Sequence, residues 1–176
     1  VLLEAARQLR DQNYEFSLHI YGDGKERDRV VSFIREYCLG AFVSLLPRVQ
    51  DVSSAYNSAL CIIQPSYIES FGMTVLEGMA YGRPVIATAS GGPNGLIEDG
   101  ITGFLVQRGD SSSMFEKMKY LLEHRSIAEA MGKNGRISYL STYTSSHAKE
   151  RFSDLFCRLL CSQDAYSPEK LILDDM

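Results

Sequence analysis

Short apolar runs alternate with stretches of helical period from the start of the chain to about residue 106. The runs at Phe16 to Tyr21, Ala41 to Leu46, Ala59 to Gln64, Pro84 to Ala87 and Gly103 to Val106 predict five short strands. Several are almost continuous in apolar residues, which suits strands covered on both faces of a parallel sheet. Between them, Lys25 to Cys38, Val52 to Asn57, Met73 to Tyr81 and Gly95 to Glu98 predict helices. Val1 to Arg10 reads as helix from its first residue with no N-cap ahead of it, and residue 1 is not Met. The expectation is a domain truncated at its N-terminus. Its repeating strand–helix order predicts an α/β fold, a Rossmann-like doubly wound parallel sheet with right-handed crossovers.

Beyond Val106 the period becomes purely helical, which adds C-terminal helices to that sheet. Asp110 and the serines after it offer N-caps, and Met114, Met118, Leu121 and Leu122 then fall on one face. A second helix is expected at about Ser126 to Tyr139 and a third at about Ser145 to Cys161. The third carries Phe152, Leu155, Phe156, Leu159 and Leu160 on one side. Docking of that face on protein is expected, because Lys and Arg are too few for a basic membrane anchor. Cys157 and Cys161, one turn apart, read as small buried hydrophobes. Gln163 to Met176 mixes acidic residues with Ser and Pro and reads as a mobile tail, so the domain is expected to occupy 1–162.

Composition narrows the function. The chain has 176 residues, enough for one domain that buries about 70% of its unfolded surface. A net charge of −4 leaves no basic stripe for nucleic acid. No apolar run approaches the ~20 residues that span a bilayer. The four cysteines, Cys38, Cys61, Cys157 and Cys161, make no paired C-x-x-C set, so no metal site is expected, and reduced thiols suit a cytoplasmic setting. His19 is expected in the core and His124 and His147 on helices or the surface, with no Ser-His-Asp logic joining them.

The chemistry concentrates in Pro65-Ser66-Tyr67-Ile68-Glu69-Ser70-Phe71-Gly72-Met73-Thr74-Val75-Leu76-Glu77. A strand feeds this run, a Gly turn bends it and a helix leaves it. In that arrangement free amides and the helix dipole face an anion. Gly72 lets the backbone approach a ligand, and Met73 and Thr74 offer first-turn N–H groups. Glu77, one turn into the helix, tilts back toward the same mouth. The two carboxylates repel an anion but suit neutral hydroxyls as acceptors, so a diphosphate between two polyhydroxy rings fits. At the first strand's end, Tyr21-Gly22-Asp23-Gly24-Lys25-Glu26-Arg27 gives a Gly turn but no dinucleotide fingerprint, since Arg27 replaces the third glycine and the next strand ends without a ribose-binding acid.

With seven residues between them, Glu69 and Glu77 resemble the E-x-x-x-x-x-x-x-E signature of the family 4 retaining glycosyltransferases, whose GT-B fold sets two Rossmann-like domains across a cleft. His19 to Gly24, Gly82-Arg83-Pro84-Val85-Ile86-Ala87-Thr88, Gly91-Gly92 and Glu98 to Val106 follow in the family's order and spacing. The resemblance covers about Phe16 to Leu122, most of the C-terminal, donor-binding half. It implies a hexosyltransferase domain that uses a UDP- or GDP-sugar and no metal or other cofactor. Polysaccharide or glycolipid acceptors, the missing acceptor-binding domain as partner, and a cytoplasmic location at or near a membrane face follow at family level. Two alternatives stay open: a non-catalytic nucleotide-sugar-binding module, and another GT-B enzyme such as an epimerase.

Residue by residue, the resemblance implies that Glu69 is the catalytic-site carboxylate that holds hydroxyls of the transferred sugar. Ser70, Phe71 and Gly72 shape the sugar pocket, Met73 and Thr74 give amides to the diphosphate, and Glu77 accepts from the ribose. Gly22 lets its turn lie close to the donor, and Arg48 with Val49 lines the base pocket. For the loop Ser90-Gly91-Gly92-Pro93 two readings stay open, a contact with the ligand and a flexible turn. Leu60 stands where the family usually has Asp. The family's Arg/Lys pair that stabilises the departing diphosphate belongs to a loop ahead of Val1, so the isolated fragment is expected to be inactive.

Overall fold

The structure is a computed structural model that describes residues 1–161, so the expected tail at Gln163 to Met176 lies outside the described residues. Backbone contacts divide the chain into two units, Val1–Tyr139 and Leu140–Met176. The first alternates helices and strands: α1 (Leu2–Asp11), β1 (Leu18–Tyr21), α2 (Arg27–Glu36), β2 (Val43–Leu46), α3 (Ser53–Ser58), β3 (Ile62–Gln64), α4 (Met73–Ala80), β4 (Val85–Thr88), α5 (Gly92–Leu96), β5 (Gly103–Val106), α6 (Ser111–Glu123) and α7 (Arg125–Thr142), which runs past the division. The second holds α8 (Ser145–Cys161).

Every strand pairing among the described residues is parallel, as the short crossovers through single helices require. Leu18 lies opposite Val43, and in the larger sheet Ile62 lies opposite Val85 and Val85 opposite Gly103. The ladders form a pair, β1-β2, and a triplet, β3-β4-β5. The described strands thus make two hydrogen-bonded ladders in place of the single one expected.

β4 is buried along its whole length, because helices cover both of its faces. Ile86 joins Ala5 and Leu9 of α1, Phe104 and Val106 of β5, Met114, Phe115, Met118 and Leu121 of α6, and Ala128 and Met131 of α7 in one cluster. On the opposite face Val85 meets α4, where a Cβ on Gly78 would fall 2.6 Å from the Val85 Cγ2. A second cluster joins Ala6 of α1 to Leu39 and Val43, with Leu3, Phe16, Leu18 and Ile20 packed against it. α1 therefore serves both clusters, Ala5 and Leu9 facing one and Ala6 the other, at the i, i+1 and i+4 spacing of an amphipathic helix.

Several expectations are corrected. His19 is exposed on β1, edge-on to Tyr21, because alternate residues of this half-covered strand face outward. Cys157, expected as a small buried hydrophobe, is exposed, as are Phe152, Leu155, Phe156 and Leu159 on the same helix. Phe152 and Phe156 pack on each other, with ring centroids 5.0 Å apart. Cys61 packs against the first cluster, and burial pushes its thiol up to about 12. Among the described residues no helix is long and apolar enough to cross a membrane.

Candidate functional site

Parallel strands direct their carboxyl ends to one side, and the residues singled out above lie in the loops leaving those ends. Two groups form there. In the first, Gly22 adopts φ +141° and continues the β1-β2 ladder by donating its N–H to the Leu46 carbonyl at 3.0 Å. Asp23 beside it accepts from the Arg48 backbone N–H at 3.5 Å and from the Arg27 guanidinium at 3.3 Å. Asp23 thereby ties the turn after β1 to the loop after β2, and Arg48 and Val49 stay exposed.

The second group lies between β3 and α4. Gly72 caps α4 at φ +98°, a conformation that favours glycine, with the Leu96 side chain 3.1 Å from where a Cβ would stand. The first amides of a helix have no intrahelical acceptor. Here Leu76 is the first to close the turn, onto the Gly72 carbonyl at 3.1 Å, which leaves the N–H groups of Met73 and Thr74 at the helix mouth and that of the fully buried Val75 behind them. Gly72 supplies no side-chain cap.

Glu69 takes an unexpected posture. Its Oε1 accepts the N–H groups of Phe71, at 3.2 Å, and Gly72, at 3.1 Å, while its Oε2 accepts from Gln64 Nε2 at 2.8 Å. The carboxylate thus satisfies the two amides just ahead of the helix and leaves the next three untouched. Ser70 and Phe71 point outward and are exposed, with Met73. Glu77 accepts from the Tyr56 hydroxyl at 2.6 Å, and Tyr56 stacks on Tyr81 at 5.1 Å. Burial, and then the neighbouring Glu77 carboxylate, push the Tyr56 phenol above the ordinary tyrosine range, so it stays a donor. Tyr56 is buried while Glu77 remains half-buried, its other oxygen not claimed by Tyr56.

The loop Ser90-Gly91-Gly92-Pro93 is no flexible turn. Glu69 donates its N–H to the Ser90 carbonyl at 3.1 Å, and Gly92 donates to the Glu69 carbonyl at 2.8 Å. A Cβ on Gly91 would stand 2.7 Å from the Glu69 carbonyl oxygen, so the glycines permit the two loops to lie backbone on backbone. Below them Thr88 Oγ1 donates to the Ser66 carbonyl. The structure brings Gly22 and Arg48 together, and separately gathers Glu69 through Thr74. Glu77 joins the latter through α4, and no hydrogen bond links the two groups.

Sequence reasoning missed Gln64, Tyr56 and Asp23. Gln64 did carry a signal, as a polar residue ending the apolar run Ala59-Leu60-Cys61-Ile62-Ile63. Tyr56 and Asp23 act across 21 and 25 residues, to Glu77 and Arg48, and local spacing does not reveal such pairs.

A family model described as glycosyl transferases group 1 matches residues 1–138. An uncharacterized glycosyltransferase of Methanocaldococcus jannaschii is 30% identical over 138 residues, covering 77% of this chain and 38% of its own length. A trehalose synthase of Thermococcus litoralis is 39% identical over 106 residues, 60% of this chain and 25% of the relative. The chain therefore spans only a part of the curated relatives that it matches. Among solved structures, a mutant of S. aureus TarM in complex with Fondaparinux, alpha-GlcNAc-glycerol and UDP superposes with a TM-score of 0.83 at 25% identity, covering 88% of this chain and 32% of that one.

Proposed function

We propose, for a chain that belongs to the glycosyl transferases group 1 family, that it is the donor-binding domain of a retaining hexosyltransferase with a UDP- or GDP-sugar as donor. The observation that carries this reading is the mouth of α4. Two successive amides, at Met73 and Thr74, stand just beyond those that the Glu69 carboxylate caps, and Glu77 on the same helix is already held by Tyr56. A diphosphate takes those amides and the positive end of the helix dipole. Glu77, held by Tyr56, accepts from ribose hydroxyls on one side, and Glu69 accepts from the transferred sugar on the other. Ser70, Phe71 and Gly72 form the wall around that sugar, and Gly22, Arg48 and Val49 line the base pocket.

Binding in this reading needs no metal, because backbone amides supply the positive field. Departure of the nucleoside diphosphate builds negative charge, and the same amides stabilise it. Glu69 acts as a positioning acceptor rather than a nucleophile, since both of its oxygens already accept hydrogen bonds, from Phe71, Gly72 and Gln64, and one acceptor site on Oε2 is left for a hydroxyl. The acceptor, of polysaccharide or glycolipid type, belongs to an acceptor-binding domain outside this chain, at a cytoplasmic site on or near a membrane face. A trehalose synthase among the relatives favours a small sugar as a second acceptor class.

A thermal-shift screen of UDP, GDP and their hexose conjugates tests the reading, since a ligand of the folded state raises the melting temperature. At least one conjugate is expected to stabilise the chain, and none doing so defeats the proposal. Glu77→Ala is expected to weaken nucleotide binding by about 1 kcal/mol or more, roughly fivefold, through lost hydroxyl contacts. Calorimetry that finds unchanged affinity removes Glu77 from the site.

A further inference from the structure

Gln64 ends β3 with its side chain 6% exposed, directly beneath the loop that carries Glu69. Its amide orientation follows from its neighbour. Nε2 lies 2.8 Å from Glu69 Oε2, and the flipped amide would set a carbonyl oxygen against a carboxylate. The unflipped amide leaves Oε1 buried with no donor among the described residues. A side chain that only filled space there would do so better without an unpaired acceptor. The amide is therefore explained by what Nε2 does to Glu69.

That effect can be followed lone pair by lone pair. An ionised carboxylate has about four acceptor sites, two on each oxygen. The amides of Phe71 and Gly72 occupy Oε1, and Gln64 occupies one site on Oε2. One site remains, on Oε2, in a direction set by the Gln64 bond. We propose that Gln64 is a positioning residue for sugar recognition, which limits Glu69 to a single hydroxyl of the transferred sugar. The proposal rests on the donor reading above and adds to it the residue that gives the carboxylate its aim. Without Gln64, Glu69 keeps its cap on Phe71 and Gly72, but its second oxygen turns toward water and reads no one hydroxyl in particular.

Gln64→Met keeps the volume and chain shape while removing both the donor and the orphaned acceptor. The chain and this variant are titrated with UDP-glucose against UDP and with GDP-mannose against GDP, and both are melted without ligand. For whichever pair binds, the variant is expected to lose about fivefold in sugar-conjugate affinity. Its affinity for the bare diphosphate stays within twofold and its melting temperature is unchanged or higher. An unmoved ratio of conjugate to diphosphate affinity overturns the role of Gln64 alone. So does a variant that melts several degrees lower or fails to fold, since the amide is then part of the packing. Failure of the unsubstituted chain to bind any of the four ligands overturns the donor reading, and this role with it.

Discussion

Gly92→Ala is expected to lower nucleotide-sugar affinity at least about tenfold and the melting temperature with it. A Cβ at Gly92 would stand 2.5 Å from the Phe71 Cα and nearer still to the Phe71 carbonyl, so backbone meets backbone and no flexible side chain can yield. The Glu69 to Phe71 loop must then move, although Gly92 is also bonded to the Glu69 carbonyl. Movement there carries the Glu69 carboxylate off the amides that it caps and swings the mouth of α4 away from its ligand geometry. Hydrogen bonds weaken steeply with such displacement. Overpacking of this kind costs about 1–3 kcal/mol, and each kcal/mol lowers the melting temperature by about 2–4 °C for a chain of this size. Calorimetric affinity within twofold of the unsubstituted chain would show that the clamp has no bearing on the site.

Gly132→Ala is expected to cost at least as much stability, about 3 kcal/mol, with a different consequence for binding. Its Cβ would stand 2.8 Å from the Gly82 carbonyl carbon and 3.1 Å from Pro84 Cδ, with the Gly82 oxygen closer again. α7 lies there on the turn that enters β4, and Arg136 secures the contact by donating to the Ala80 carbonyl at 2.6 Å. Gly82 itself sits at φ +67° and has little freedom to retreat. This turn is at the amino end of β4, whereas the loops of the proposed donor site leave carboxyl ends. Below its lowered melting temperature the variant should therefore bind nucleotide sugar as before. A melting temperature within about 1 °C of the unsubstituted chain would contradict the packing argument, which allows roughly 2–4 °C per kcal/mol.

The fold was largely legible in the hydrophobic pattern, and the strand starts that it missed share one cause. Three strands begin two or three residues later than their apolar runs: Leu18 rather than Phe16, Val43 rather than Ala41, and Ile62 rather than Ala59. Apolar residues report burial and not ladder pairing. Phe16 and Phe42 stack at 5.1 Å, with Phe42 just ahead of β2, and Leu60 and Cys61 pack on the first cluster before β3 begins. The helix expected at Gly95 to Glu98 starts earlier, at Gly92, because Pro93 in its first turn is preset for a helix, although Gly-Gly-Pro reads as a turn. The Asp110 cap was visible, and its carboxylate accepts from the Ser113 N–H at 2.8 Å.

Of the candidate site, the sequence singled out Glu69, Gly72 and Glu77 but not the side chains that hold the two carboxylates. Glu69, Gly72 and Glu77 share one run and one known spacing. Tyr56 and Gln64 are recognisable only once β3 and α4 are side by side. The same limit explains the loop at Gly91 and Gly92, whose glycines were read as freedom to bend. In the structure they grant close approach to Glu69 and Phe71 instead.

α1 lends Ala5 and Leu9 to one cluster and Ala6 to the other, while no strand ladder joins β1 to β3. α2 fully buries none of its residues, and β1 is half-covered, whereas β4 is buried throughout. Sub-global opening should follow that seam, with amide deuterium uptake fast across β1 and α2 and slow across β4. In the proposed donor site the base would then be held by the half that breathes and the ribose, diphosphate and sugar by the half that does not, so donor capture would stiffen Tyr21 to Asp23 far more than the mouth of α4.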